Sequence, residues 1–295
     1  GRLDARGNPE TTRQVPTPAG EPPEAMVAIL ADLVRDLAPA GYVEALPVGI
    51  GCAGLVDSRR GVIYTSPNLP GWTEETPLAD LLEPVLGRRP AIHNDANVFV
   101  LAETRVGAGR GAGSVVGLTL GTGVGGGLVL GGRIWTGHNG AAGEIGHMTI
   151  LADGPRCACG NHGCLEALIG TSAILDRYRA LRVAEGAAAE TVMPHEIARR
   201  AEADESAAIA TWRETGRFLG LGLVSLTHLL DPELFVIGGG IAGAADLLLP
   251  DAVAALRNGA MLPERLLPGV RVATLGPDAG WIGAAYAAID AESEG

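Results

Sequence analysis

From residue 24 to residue 37 the apolar positions Met26, Leu30, Leu33 and Leu37 recur at helical spacing and predict an amphipathic helix. Apolar runs at 46–53, 61–64 and 90–93 predict short buried strands, with a turn at Gly54 after the first. Helices are expected over 77–86 and 95–105. A glycine-rich link at 107–113 is the best domain boundary, and 114–120 then repeats the buried-strand pattern. The glycines of GTGVGGG at 121–127 read as a turn, followed by a strand and hairpin at 128–135. Residues 171–230 are mostly helical in pattern, at 172–181, 195–203 and 207–230. A strand at 234–238 runs into a glycine cluster that opens a helix. A strand at 270–275 and a last helix at 281–289 complete the chain.

Composition narrows the chemistry. At 295 residues the chain is long enough for two domains and a large core. The net charge is −12 with no basic cluster, which excludes binding nucleic acid by neutralising phosphates. The longest apolar run, 218–230, is too short to span a bilayer. Every basic residue other than histidine is arginine. The absence of lysine removes Schiff-base chemistry, pyridoxal phosphate attachment, the Walker A lysine and the strand lysine of protein kinases. Phosphate handling would fall to backbone N–H groups, hydroxyls, arginine and magnesium. These features suit a cytoplasmic enzyme or sensor.

Three of the four cysteines lie in CACGNHGC at 157–164, and His147 lies ten positions before the first. Three thiolates and one imidazole fill a tetrahedral zinc site and leave no position for water, so such a site is structural. A disulfide with one thiol left over is the rival pattern. A bridge between cysteines one residue apart is strained, and Cys52 sits in an apolar strand, where a buried free thiol is common. On spacing alone His162 competes with His147. Glu144 and Glu166 flank the loop, so a metal there would fix two carboxylates and an imidazole around one space.

Two further features carry alternatives. Asn94 and Asp95 follow a predicted strand and open a helix. They read equally as an N-cap or as a carboxylate facing a cleft as general base. The GxGxxG at 121–126 lacks the following helix a dinucleotide site needs, so strand–GTG–strand is better read as a tight turn offering N–H groups and the Thr122 hydroxyl to phosphate. The second GxGxxG, at 238–243, does open a helix and suits a nucleotide.

Together GIGCAGLVD at 49–57, NLPGW at 68–72, NDAN at 94–97, LGTGVGGG at 120–127, GEIGH at 143–147, CACGNHGCLE at 157–166 and VIGGG at 236–240 resemble the ROK family of sugar kinases and sugar-sensing repressors, most of all its bacterial glucokinases. The resemblance spans nearly the whole chain. It implies an actin-like, ribonuclease H-like α/β fold of two domains, with a central cleft and a structural zinc loop at 144–166. The domains would be 1–106 and 107–278, with the C-terminal helix 279–292 packing back on the first. It implies Asp95 as catalytic base. Asn68, Asn94, Asp95, Glu144, His147 and Glu166 would contact the sugar. His147, Cys157, Cys159 and Cys164 would hold zinc, which selects His147 over His162. Gly121, Thr122 and Gly123 match the second phosphate motif, and Gly238, Gly239 and Gly240 the adenosine motif.

The implied reaction is ATP- and magnesium-dependent phosphorylation of glucose at its 6-hydroxyl by a cytoplasmic homodimer or homotetramer, without nucleic-acid or membrane partners. Fructose, allose and N-acetylmannosamine kinases share most of these residues, and polyphosphate is an alternative donor. One departure stands out: the family's opening strand with its Asp-x-Gly-Gly-Thr phosphate motif has no counterpart here. Arg2-Leu3-Asp4 before a turn at Gly7-Asn8-Pro9 reads as a strand end without its first partner, and the expectation is a truncated start. Two rivals remain. A sugar-responsive repressor needs a helix-turn-helix that the first 40 residues, acidic and proline-rich, cannot supply. A zinc-containing NAD dehydrogenase needs an open zinc position, and every clustered cysteine is already used.

Overall fold

The predicted apolar runs become strands, most at their expected length, while those at 46–53 and 270–275 are shortened. The computed structural model describes all residues except 40, 43, 67, 73, 74, 189, 294 and 295. In chain order its elements are β1 (Arg2–Leu3), β2 (Pro9–Thr11), α1 (Pro23–Leu37), β3 (Gly49–Cys52), β4 (Leu55–Asp57), β5 (Val62–Thr65), α2 (Leu78–Leu86), β6 (Ala91–Asn94), α3 (Asp95–Val106), β7 (Ser114–Leu120), β8 (Val124–Leu130) and β9 (Arg133–Ile134). There follow α4 (Leu165–Ile169), α5 (Thr171–Ala184), α6 (Pro194–Glu202), α7 (Ser206–Leu230), β10 (Leu234–Gly238), α8 (Ala245–Gly259), β11 (Gly269–Val272) and α9 (Ala279–Glu292).

Three differences from the sequence reading have physical causes. β3 omits Leu46, Pro47 and Val48, and Pro47 has no N–H to give a ladder. The glycine turn covers only 121–123, because Gly125, Gly126 and Gly127 already belong to β8. Glycine is needed inside that strand at Gly127, where a Cβ would lie 2.6 Å from the Ala96 carbonyl oxygen of α3. The third is α4, which is only five residues long. That is too little chain to show a helical period.

The chain divides into two compact units, Gly1–Gly111 with Gly127–Gly143 and Leu275–Gly295, and Ala112–Gly126 with Glu144–Thr274. Residues 127–143 thus join the first unit, although the sequence reading assigns 107–278 to one domain.

In the first unit β3 and β6 pair in parallel, with Cys52 opposite Asn94. β4 and β5 form an antiparallel hairpin. Its core joins Val56, Ile63 and Ile92 to Leu78, Leu82 and Leu86 of α2 and to Val27 and Ala31 of α1. Helix α9 packs on α3 and β3. The approach to α3 is close, since a Cβ at Gly283 would lie 1.7 Å from the Val98 carbonyl oxygen. Glu103 of α3 is fully buried, and its carboxylate accepts the N–H groups of Ala108 and Leu275 at 2.7 and 2.9 Å. A carboxylate out of water needs such donors.

The five-stranded sheet has the order β11-β10-β7-β8-β9, with β10 parallel to both β11 and β7. In the second unit α7 packs closely on α8 and buries Trp212, Leu219 and Leu223. Among the described residues no helix is long and apolar enough to cross a membrane.

Candidate functional site

In the first unit β6 ends where α3 begins, and the two residues at that junction divide the work. Asn94 is the N-cap: its side-chain oxygen accepts the N–H groups of Ala96 and Asn97 at 2.8 and 3.2 Å. Its amide nitrogen donates to the Gly54 carbonyl at 2.9 Å. One amide N–H is left over for a ligand. Asp95 is thereby released from capping and stays exposed, accepting the adjacent Ala96 N–H at 2.9 Å. The sequence reading treated the cap and the base as alternatives for one pair; here Asn94 is the cap and Asp95 the free carboxylate.

Burial pushes the Cys52 thiol up to about 11, and the nearby Asp95 carboxylate adds to the rise. The thiol beside Asp95 is therefore neutral at pH 7. His93, one residue before Asn94, is pushed down to about 4 by burial, and its Nδ1 has no hydrogen-bond partner among the described residues. Asn68 is exposed in a turn whose flanking Leu69 and Trp72 are anchored in the core.

In the second unit the 3-10 turn Ile145–His147 presents Glu144 and His147 side by side, with Glu144 Oε2 and His147 Nε2 4.0 Å apart. The other ring nitrogen faces the cysteines. One ligand atom each from His147, Cys157, Cys159 and Cys164 lie within 4.8 Å of one another. His147 Nδ1 is 3.7 Å from Cys157 Sγ, and Cys159 Sγ is 3.7 Å from Cys164 Sγ. Zinc–sulfur bonds of ~2.3 Å at tetrahedral angles separate ligand atoms by about 3.7 Å, so the four atoms fit zinc. All four cysteines of the chain are free thiols, and His162 stands outside the cluster. Burial raises the Cys157 and Cys164 thiols, while the Asn161 N–H lowers exposed Cys159. A cation among them would reverse the penalty on the buried pair.

Glu166 lies in α4, directly after the last cysteine's neighbour, and faces two ways. Its Oε2 accepts the Val124 N–H at 3.0 Å, and its Oε1 lies 3.7 Å from Cys157 Sγ. One carboxylate thus joins the thiol loop to the glycine turn. Nothing in the sequence signals that bond, because the partners are 42 positions apart.

The glycines of the two turns are needed for different reasons. At Gly123 a Cβ would lie 2.3 Å from Glu166 Oε2. Gly239 has φ +85 and touches the backbone of Leu120. Gly121 and Gly240 meet nothing within 4 Å and have no left-handed φ. Among the described residues nothing gives a steric reason for glycine at those two positions. Gly238 ends β10 in full burial. Because β7 and β10 are parallel neighbours, Gly121 and Gly240 follow adjacent strand ends in the same unit.

A sequence model described as the ROK family matches residues 2–291. The glucokinase of Streptomyces coelicolor (strain ATCC BAA-471 / A3(2) / M145) is 34% identical over 297 residues, spanning 97% of this chain and 92% of that protein. The solved structure of the ROK hexokinase from Thermus thermophilus superposes with TM-score 0.80 at 37% identity, covering 95% of this chain and 91% of that one. A ROK family glucokinase from Streptomyces griseus, solved in complex with glucose and AMPPNP, superposes with TM-score 0.78 at 32% identity and covers 98% and 94%.

Proposed function

Because this chain belongs to the ROK family and is a sugar kinase of the actin-like α/β fold, we propose that it transfers the γ-phosphate of ATP to the 6-hydroxyl of glucose, with Asp95 as general base. The observation that carries the reading is the junction of β6 and α3. Asn94 takes the capping role and leaves Asp95 exposed at the C-terminal end of a parallel strand, where α/β sheets bind ligands. A sugar hydroxyl is a weak nucleophile, and Asp95 accepts its proton as phosphorus is attacked. Alignment and charge neutralisation supply the rest of phosphoryl transfer.

Asn68, Asn94, Glu144, His147 and Glu166 are the sugar contacts of this reading, and Gly121, Thr122, Gly123, Gly238, Gly239 and Gly240 the nucleotide contacts. Magnesium enters with ATP. Zinc, held by His147, Cys157, Cys159 and Cys164, supplies a rigid cross-link that keeps the His147 ring oriented. With Nδ1 turned to the metal, Nε2 is left for a sugar hydroxyl, with the Glu144 carboxylate 4.0 Å from it. A homodimer or homotetramer in the cytoplasm belongs to the same proposal, and light scattering after gel filtration measures the assembly.

The test is a coupled kinase assay with ATP, magnesium and a hexose panel including glucose, fructose, allose and N-acetylmannosamine. Glucose should give the highest kcat/KM. Asp95→Ala should lower kcat by roughly 10²–10⁴-fold while calorimetric glucose binding persists. Wild-type turnover in that variant sinks the role of Asp95. A better hexose in the panel replaces glucose, and sugar binding without any turnover in the parent chain favours the sensor reading.

A further inference from the structure

The carbonyl oxygen of Gly121 accepts two hydrogen bonds, and both come from Thr171. Its backbone N–H lies at 3.0 Å and its hydroxyl at 2.9 Å. Thr171 is the first residue of α5, immediately after the Gly170 cap position, and has no part in the reaction as read above. A threonine at a helix start is commonly a cap, but here the hydroxyl leaves its own helix and reaches a turn 50 positions earlier.

A trans peptide holds its C=O and N–H antiparallel, and no described peptide is cis. Anchoring the Gly121 oxygen toward α5 therefore aims the Thr122 N–H to the opposite side. The turn's other backbone groups are fixed as well. Gly121 N–H donates to the Gly123 oxygen at 2.9 Å, and Val124 N–H to Glu166 Oε2 at 3.0 Å. What is left over are the N–H groups of Thr122 and Gly123, which have no hydrogen-bond partner among the described residues. They adjoin the open space beside Gly121. Consecutive free N–H groups in a turn form a nest for anions.

We propose that Thr171 is the positioning residue of this nest, setting the direction in which Thr122 offers its N–H, beside that of Gly123, to a nucleotide phosphate. The inference rests on the reading of this turn as the phosphate site. The double anchor matters because the turn is rich in glycine and would otherwise sample many backbone conformations. Thr171 supplies the anchor without touching the ligand.

The experiment is calorimetric titration with magnesium–ATP, and separately with glucose, of the full chain and of Thr171→Val, Thr171→Ser and Gly121→Ala. Thr171→Val keeps the backbone N–H and side-chain shape but loses the hydroxyl. It should weaken ATP binding roughly fivefold, the worth of one hydrogen bond between neutral groups, and leave glucose binding unchanged. Thr171→Ser should restore ATP affinity. Equal weakening of both ligands, or no change in ATP affinity, overturns the inference, as does failure of serine to rescue. Gly121→Ala separates the two levels. If it leaves ATP binding intact, the phosphate reading of the turn falls and the inference with it. If it weakens ATP binding while Thr171→Val does not, only the role of Thr171 falls.

Discussion

Asp95 stands on regular secondary structure, whereas the four-ligand cluster stands on almost none. Beneath Asp95, helix α3 buries Val98, Val100, Leu101 and Ala102 completely, and Asn94 caps it. That carboxylate is placed by apolar packing and a helix start, and its position needs no metal. From Met148 to Cys164 the chain has no helix or strand beyond isolated bridges, such as Thr149 with Cys164. Cys157 and Cys164 are buried there. A metal bound by these four ligands would order such a loop and contribute directly to its folding, and with it to the placement of His147.

Removing a metal ligand should therefore separate the two regions sharply. Cys159→Ser removes the exposed ligand with the least disturbance to packing. Elemental analysis should show zinc falling from one per chain to none, and glucose affinity should drop by about 10-fold or more. Hydrogen exchange should lose protection over 144–166 and keep it over 91–106. Equal loss in both segments would break the comparison.

Acid should act in the opposite direction, on the first unit. Buried His93, pushed down to about 4, resists protonation in the folded state, while the unfolded chain takes up the proton near pH 6.5. The unfolded state thus binds more protons between those values, so stability should fall as pH drops from 6.5 to 4. The full shift corresponds to roughly 3 kcal/mol. His93→Gln should flatten that part of the pH profile in denaturant titrations; an unchanged slope would remove His93 as its source.

The smallest effect is the sharpest test of the division of labour at β6 and α3. Asn94→Ala removes a helix cap worth about 1 kcal/mol. Denaturant titration should register that loss with zinc content unchanged. Asn94→Asp, which retains a capping oxygen, should recover most of it.

Much of the fold was legible because its signals are local. The helical period of 24–37 became α1 over Pro23–Leu37, and the pattern of 207–230 became α7 over Ser206–Leu230. Cysteine spacing pointed to a metal loop, and NDAN pointed to a strand end opening a helix. Other features were not local. GTGVGGG looked like one continuous turn, yet its last three glycines are strand, and at Gly127 a side chain would meet the Ala96 carbonyl of α3. The five residues of α4 gave no period. Glu103 of α3 is wholly buried and accepts the N–H groups of Ala108 and Leu275, partners that no local pattern marks.

The sequence by itself determined the element types, the absence of lysine chemistry, the donor set for a tetrahedral metal and the family resemblance. Each of these is carried by residue identity or by patterns within one short segment of chain. Only the tertiary structure decided which nitrogen of His147 faces the thiols, that Asn94 caps so that Asp95 is free, and that Thr171 and Glu166 fix the glycine turn from 50 and 42 positions away. Those are matters of direction. A hydrogen bond depends on where a donor points as well as on which residue carries it, and direction is set only when separate elements pack.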